Sequence, residues 1–250
     1  MTESSAAELY RRGAATLVAS WETYARGAPG AAVQRSPGVI AAVFPYEPER
    51  CVYNNALLER DLGSAERANA LEAMAAVYAA AGVRRFAAWV QENDTAMRGD
   101  LKRRGYRLDM STRMMGMPLA ALRLPQLEIE LGSLDWCEYL RLFGLPSGLL
   151  AGADRSAFHL LVARLGGEEV ATALAFDHGG DCGIYNVGTL ERARRRGLST
   201  ALTALQLHDA LARGCETASL QSTPMAESVY AAVGFHDLGR ILEYVPQGRA

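Results

Sequence analysis

The residues with the most chemical content lie together in Tyr185 to Gly197, reading YNVGTLERARRRG. A β-prone run, Ile184, Tyr185, Val187 and Thr189, leads into Arg192 and then Arg194, Arg195 and Arg196. Gly197 follows, and after it a helical pattern reaches about Arg213. A strand that feeds a glycine turn at a helix start is one way in which proteins hold phosphate. The first N–H groups of a helix have no partner inside it and carry partial positive charge. Gly197 lets backbone come close to a ligand, and the arginines add charge. The stretch reads as a grip for a pyrophosphate; the bland alternative is a solvated basic turn.

Composition narrows the ligand. A chain of 250 residues suits one large domain or two small ones, and with 50% hydrophobic residues it can bury a sizeable core. A net charge of −2 gives no global attraction to nucleic acid or membrane, so a basic run points to a local anion. Cys51, Cys137, Cys182 and Cys215 form no CxxC, and the four histidines are equally dispersed, so no metal spacing appears. With no secretory leader and no apolar run of transmembrane length, a soluble cytoplasmic protein without metal is expected.

The elements that must position these residues follow from pattern. Residues 1–30 read mainly as helix, with Leu9, Leu17, Trp21 and Tyr24 on a related face. Val39–Phe44 reads as a strand, and Val52 and Tyr53 begin another. Ala65–Ala81 is an alanine-rich helix with Ser64 as N-cap and Gly82 as stop. A strand at Arg85–Val90, a helix at Asp94–Arg103 and a strand pair ending near Met117 complete the first half. The second half is expected to run strand (Leu127–Leu131), helix (Leu134–Phe143) and an apolar loop (Phe143–Asp154). A hairpin turning on Gly166-Gly167 follows, then a strand Asp181–Thr189 and the helix after the arginines. A strand Ala218–Gln221, a helix Ala226–Ala232 and a closing strand Phe235–Val245 end the chain.

The halves echo each other. Tyr53-Asn54 matches Tyr185-Asn186, and each pair is followed by a loop, a long alanine-rich helix, a strand, a short helix and an aromatic after a glycine. This is the pattern of a degenerate internal duplication. The first copy lacks the arginine-glycine turn and has ALLERDLGS in its place.

The second half resembles the GNAT family of acetyl-CoA-dependent N-acetyltransferases. The family's phosphate loop, Q/R-x-x-G-x-G/A, aligns with Arg194, Arg195, Arg196, Gly197, Leu198 and Ser199, the last a departure. A second family stretch, N-x-x-A-x-x-x-Y-x-x-x-G-F, finds Ala226, Tyr230, Gly234 and Phe235, with Thr223 where Asn is usual. The resemblance spans about Leu127 to Val245, and the first half looks like a second, eroded copy, as in tandem GNAT proteins. It implies an α+β fold of two tandem GNAT-like domains, 1–122 degenerate and 123–250 catalytic. Each would be a mixed, mostly antiparallel sheet flanked by helices.

The same resemblance implies roles. Val187, Gly188 and Thr189 lie on the strand whose backbone binds the pantetheine arm and the acetyl carbonyl, in a wedge where that strand splays from its neighbour. Arg194 to Thr200 hold the pyrophosphate, Thr223 lies near the thioester end, and Tyr230 is the general acid for the leaving thiolate. The chemistry suits the residue types. The oxyanion needs a donor, such as a strand N–H near Thr189. A phenol with a pKa of about 10 still carries its proton at neutral pH. The attacking amine needs a base, for which Glu128, Glu130, Asp177 and His178 are candidates. The implied activity is direct transfer of an acetyl group from acetyl-CoA to a primary amine, on a small molecule or peptide, by a monomer or homodimer. The alternative is an acyl-CoA-binding or protein-interaction module that keeps the fold without catalysis. The Leu145–Leu150 loop is in the acceptor region, and residues 127–250 alone are expected to bind acetyl-CoA with reduced stability.

Overall fold

The computed structural model describes residues 2–49, 53–124, 128–142 and 152–247. In chain order the elements are α1 (Glu3–Arg26), β1 (Ala32–Ser36), β2 (Val39–Val43), β3 (Asn55–Leu58), α2 (Ser64–Ala80), β4 (Ala87–Gln91), α3 (Thr95–Arg103) and β5 (Tyr106–Pro118). There follow β6 (Leu131–Gly132), α4 (Trp136–Leu142), β7 (Phe158–Leu165), β8 (Glu168–His178), β9 (Asp181–Thr189), α5 (Leu198–Ala212), β10 (Thr217–Ser222), α6 (Glu227–Val233) and β11 (His236–Pro246). None of the described helices is long and apolar enough to cross a membrane.

The chain forms two compact units. Unit C takes the described residues within Met1–Ser20, Arg113–Ser147 and Asp154–Leu238; unit N takes those within Trp21–Thr112, Gly148–Ala153 and Gly239–Ala250. The units therefore interleave along the sequence, where the sequence reading has one cut between 122 and 123. The pairing gives the reason. In unit C the strand order is β5-β10-β9-β8-β7-β6, and β5 contributes Arg113–Pro118 against Ser222–Thr217 of β10. In unit N the order is β1-β2-β3-β4-β11, and β11 contributes Ile241–Tyr244 against Gln91–Ala88 of β4. The strand order of each unit thus includes a strand drawn from the other half of the sequence.

Within each unit the pairing logic is the same. Antiparallel strands lead to a single parallel pair, β9 with β10 in unit C and β3 with β4 in unit N. An antiparallel strand follows on the far side. In unit N, α2 buries Leu71, Met74 and Tyr78, and Tyr78 stacks on Phe86 at 3.9 Å. In unit C, α5 is buried on most of its circumference and packs on β7, β8 and β9. The β7–β8 hairpin turns on Gly166 and Gly167, both at positive φ (61° and 85°), which is the backbone a two-residue turn of this hand demands.

Several elements differ from the sequence reading. Ala32–Ser36 is a strand that the reading did not assign, because AVQRS lacks an apolar alternation. Residues 106–118 form one long strand rather than a pair. Of Leu127–Leu131, only Leu131 is in a strand among the described residues. Gly63, not Ser64, is the N-cap of α2. The Leu145–Leu150 loop, Val52 and Cys51 lie outside the described residues.

Candidate functional site

The β8–β9 register fixes the site. Thr172 pairs with Gly188, but Leu174 pairs with Tyr185, so β9 carries an extra residue there. Asn186 occupies the bulge at φ 47°, a left-handed conformation that asparagine tolerates better than most residues. Its side-chain amide donates to the Tyr139 hydroxyl on α4 at 2.7 Å, which holds the bulge from outside. Beyond it β9 stays with β8, while its parallel pairing with β10 ends at Ile184–Leu220. The two strands part, and a wedge opens between Val187–Thr189 and the end of β10.

A cavity of about 770 Å³ fills this wedge, within the range of small-molecule sites. Val187, Gly188 and Thr189 line it from β9, and Arg194, Arg195, Gly197, Leu198, Ser199 and Thr200 from the turn and first turn of α5. Thr223 and Tyr230 line it from beyond β10. Every predicted site residue except Arg196 is therefore on its wall; Arg196 is exposed and outside it. The wall also includes Ala226, a motif residue to which the sequence reading gave no role, and Leu142, Val170, Glu191, Met225 and Val229, which that reading missed. Glu191 lies inside the stretch read as basic. Leu142 and Val170 are distant in sequence and carry no local signal.

The turn is shaped for an anion. Gly197 is the N-cap of α5 at φ 77°, and no side chain caps the helix. Its first N–H groups thus have no helical partner. A Cβ built on Gly197 meets nothing within 4 Å, so the space before the helix is open. Arg195 is also left-handed (φ 60°), a strained state for a residue with a Cβ. Arg192 is paired with Glu168 at 2.6 Å, and Arg194 donates to the Thr189 carbonyl at 3.3 Å. Arg195 and Arg196 have no ion-pair partner among the described residues. The Ser199 and Thr189 hydroxyls share a hydrogen bond at 2.9 Å, tying the end of β9 to α5. Helix N–H groups, open space and cations together suit an anionic group.

Tyr230 reaches the same wall from α6. It is 8% exposed, and burial pushes its phenol up to about 12. Phe235 meets its ring edge-on at 6.0 Å. Its hydroxyl has no hydrogen-bond partner among the described residues and keeps its proton throughout the neutral range.

None of the four predicted bases lines the cavity. Asp177 is held by Arg213 at 2.6 and 3.0 Å, and His159 lies 3.5 Å from it. Burial pushes the Asp177 carboxyl up, but the Arg213 guanidinium, with Cys182 and His159, outweighs it and holds the group below its ordinary value. His178 is an exposed hairpin-end residue, and Glu130 is exposed and faces Arg164 at 3.6 Å. Glu128 is exposed. The reason is positional: these residues sit on β8 or before β6, away from the splayed end of β9. Among the described residues no group of three His, Cys, Asp or Glu side chains is arranged to hold a metal.

Residues 148–223, which hold β7 to β10 and the arginine turn, match the family model of the acetyltransferase (GNAT) domain. This part of the chain is similar to a GNAT domain. GNAT acetyltransferases in general take an acetyl group from acetyl-CoA and act on amine acceptors. Solved structures extend the likeness to the rest of the fold. A GCN5-related N-acetyltransferase from Kribbella flavida superposes with a TM-score of 0.70 at 19% identity, over 96% of each chain. One from Sphaerobacter thermophilus gives 0.57 at 16%, over 93% of this chain and 94% of that one. A tandem GNAT protein from the clavulanic acid biosynthesis pathway gives 0.56 at 13%, over 89% and 85%. At these identities the shared property is the fold. No curated protein matches the chain in sequence.

Proposed function

We propose that unit C is an acetyl-CoA-dependent N-acetyltransferase that moves the acetyl group directly to a primary amine, with Tyr230 as general acid. One observation supports this reading: where β9 leaves β10, one cavity is lined both by the first residues of α5 and by Tyr230. In it, the N–H groups of Leu198, Ser199 and Thr200 and the arginines hold the pyrophosphate. The backbone of Val187–Thr189 orients the pantetheine arm and offers an N–H to the thioester carbonyl. Tyr230 presents its proton to the leaving sulfur. A thiol has a pKa of about 8.5, so a phenol near 12 donates by sharing its proton as charge develops on sulfur rather than by ionising beforehand. Direct transfer needs no nucleophile from the chain.

Unit N reads as the cofactor-incompetent copy. At the matching helix start, the Gly63 N–H donates to the Glu66 carboxylate at 2.7 Å. The chain's own negative charge thus occupies the place where α5 would receive a phosphate. Before α2 stand Arg60 and Gly63, one arginine where unit C has Arg194 to Arg196, and Gly63 is extended (φ −64°) where Gly197 is left-handed.

The test is acetyl-CoA titrated into the full chain, followed by turnover with a panel of small amines, aminoglycosides and peptide amines. Binding with transfer to at least one amine supports the proposal; no binding overturns it. Binding without transfer supports the second reading, an acyl-CoA-binding module. The specific observation that favours that reading is the absence of all four predicted bases from the cavity wall.

A further inference from the structure

The helix that carries Tyr230 does little to hold itself. α6 has seven residues, Glu227–Val233, and its N-cap is Ala226, which makes no side-chain cap bond. A helix of this length is not stable in isolation, so its position is set by what it touches. Tyr230, Val233 and Phe235 anchor one face in the core. α6 also packs on α5, and one side chain from β5 reaches its first residue.

Arg113 pairs opposite Ser222 at the end of β10. Its Nε donates to the Glu227 carboxylate at 2.8 Å, and its Nη1 donates to the Asp237 carboxylate. Glu227 opens α6, and Asp237 follows its close, just beyond the Gly234 reversal. One planar guanidinium therefore links β5 to the first residue of α6 and to the start of β11, the strand that follows the helix. Arg113 and Glu227 are 24% and 23% exposed, so this pair is partly withdrawn from water, whereas Asp237 is 54% exposed. The Glu227 arm is accordingly the stronger one. Tyr230 lies three residues after Glu227, one turn along the helix, so where Glu227 is held decides where the phenol stands.

We propose that Arg113 is a positioning residue for Tyr230: it fixes α6 so that the phenol faces the leaving sulfur. The inference rests on the reading of unit C as an acetyltransferase. It adds a residue that no sequence motif marks, contributed by the first half of the chain.

The experiment uses the full chain with Arg113→Met and Arg113→Lys, alone and combined with Tyr230→Phe. Turnover is measured with acetyl-CoA and the best amine of the panel, and amide hydrogen exchange is measured across 227–235. If Arg113 acts through Tyr230, Arg113→Met lowers kcat by about tenfold and changes KM for acetyl-CoA by less than about twofold. Arg113→Lys, which keeps a charge that can reach one carboxylate, recovers part of the loss. In the Tyr230→Phe background Arg113→Met costs almost nothing further, because the group it positions is gone. Exchange in 227–235 speeds up while α5 is unaffected. An unchanged kcat, a loss of the same size in the Tyr230→Phe background, or unchanged exchange in 227–235 overturns the inference. Should Arg113→Met fail to fold, Glu227→Gln, which removes only one charge of the brace, takes its place in the same comparison. If the wild type shows no transfer, the acetyltransferase reading fails, and the exchange measurement still decides whether Arg113 holds α6.

Discussion

Gly197 gives a substitution whose two effects the structure separates. Its φ of 77° is left-handed, and a Cβ there meets no atom within 4 Å. Replacement by alanine therefore costs backbone strain and nothing in packing. Strain of this kind is worth about 1–2 kcal/mol, and at about 2–4 °C per kcal/mol for a chain of this size it lowers Tm by about 2–8 °C. Gly197 is also the N-cap of α5 and lines the cavity, so a side chain there competes for the space proposed for the pyrophosphate. Affinity for acetyl-CoA then falls far more than stability does: about a hundredfold or more for Gly197→Val, equivalent to about 2.7 kcal/mol, and less for Gly197→Ala. Gly105 is the control. It has φ 81° and equally open surroundings in unit N, so Gly105→Ala carries the same strain without touching the cavity. The assay is thermal unfolding without ligand beside calorimetric titration of acetyl-CoA. Retained affinity in Gly197→Val refutes the phosphate grip. A Tm loss in Gly197→Ala well beyond that in Gly105→Ala refutes the claim that the space is empty.

Other outcomes follow from the same structure. Tyr230→Phe removes the proton donor while keeping the ring against Phe235, so kcat is expected to fall about a hundredfold with little change in acetyl-CoA affinity; unchanged turnover removes the acid role. Glu243, opposite Trp89 in unit N, has its carboxyl raised from 4.5 to about 7 by burial and by Asp109, against a lowering contribution from Thr112. The folded state thus favours the protonated form, and that stability is full below pH 4.5 and lost as pH rises through 7. The shift is worth about 3 kcal/mol at most, and Glu243→Gln should flatten the loss in denaturant unfolding between pH 5 and 8; an unaltered pH profile counts against it. Residues 127–250 alone lack both Arg113–Pro118, which pair with β10, and the Met1–Ser20 segment of unit C. They are expected to show no cooperative unfolding, and a well-folded fragment that binds acetyl-CoA would contradict the strand exchange.

How much of this was legible in the sequence depended on whether the signal was local. The arginine-glycine turn, the Tyr230 helix and the Gly166-Gly167 hairpin were legible because each rests on residues adjacent in the chain. So was the wedge, through its resemblance to a known family. The strand exchange was not, since nothing in residues 106–118 says that Arg113–Pro118 will pair with Ser222–Thr217 a hundred positions on. Leu142 and Val170 were invisible for the same reason. The base candidates were misplaced because acidity and strand neighbourhood were read without the direction in which β9 splays. Asp177 turned out to be occupied by Arg213, an ion pair between β8 and the residue closing α5. Ser199 read as a departure from the family pattern; its hydroxyl is bonded to Thr189, a partner visible only once β9 and α5 are side by side.

The central claim is that the chain holds one acetyl-CoA, in the wedge of unit C. Calorimetric titration of acetyl-CoA into the full-length protein tests it most directly. The account predicts a single site per chain that disappears in Gly197→Val. No binding, two sites per chain, or one site that survives Gly197→Val would contradict it.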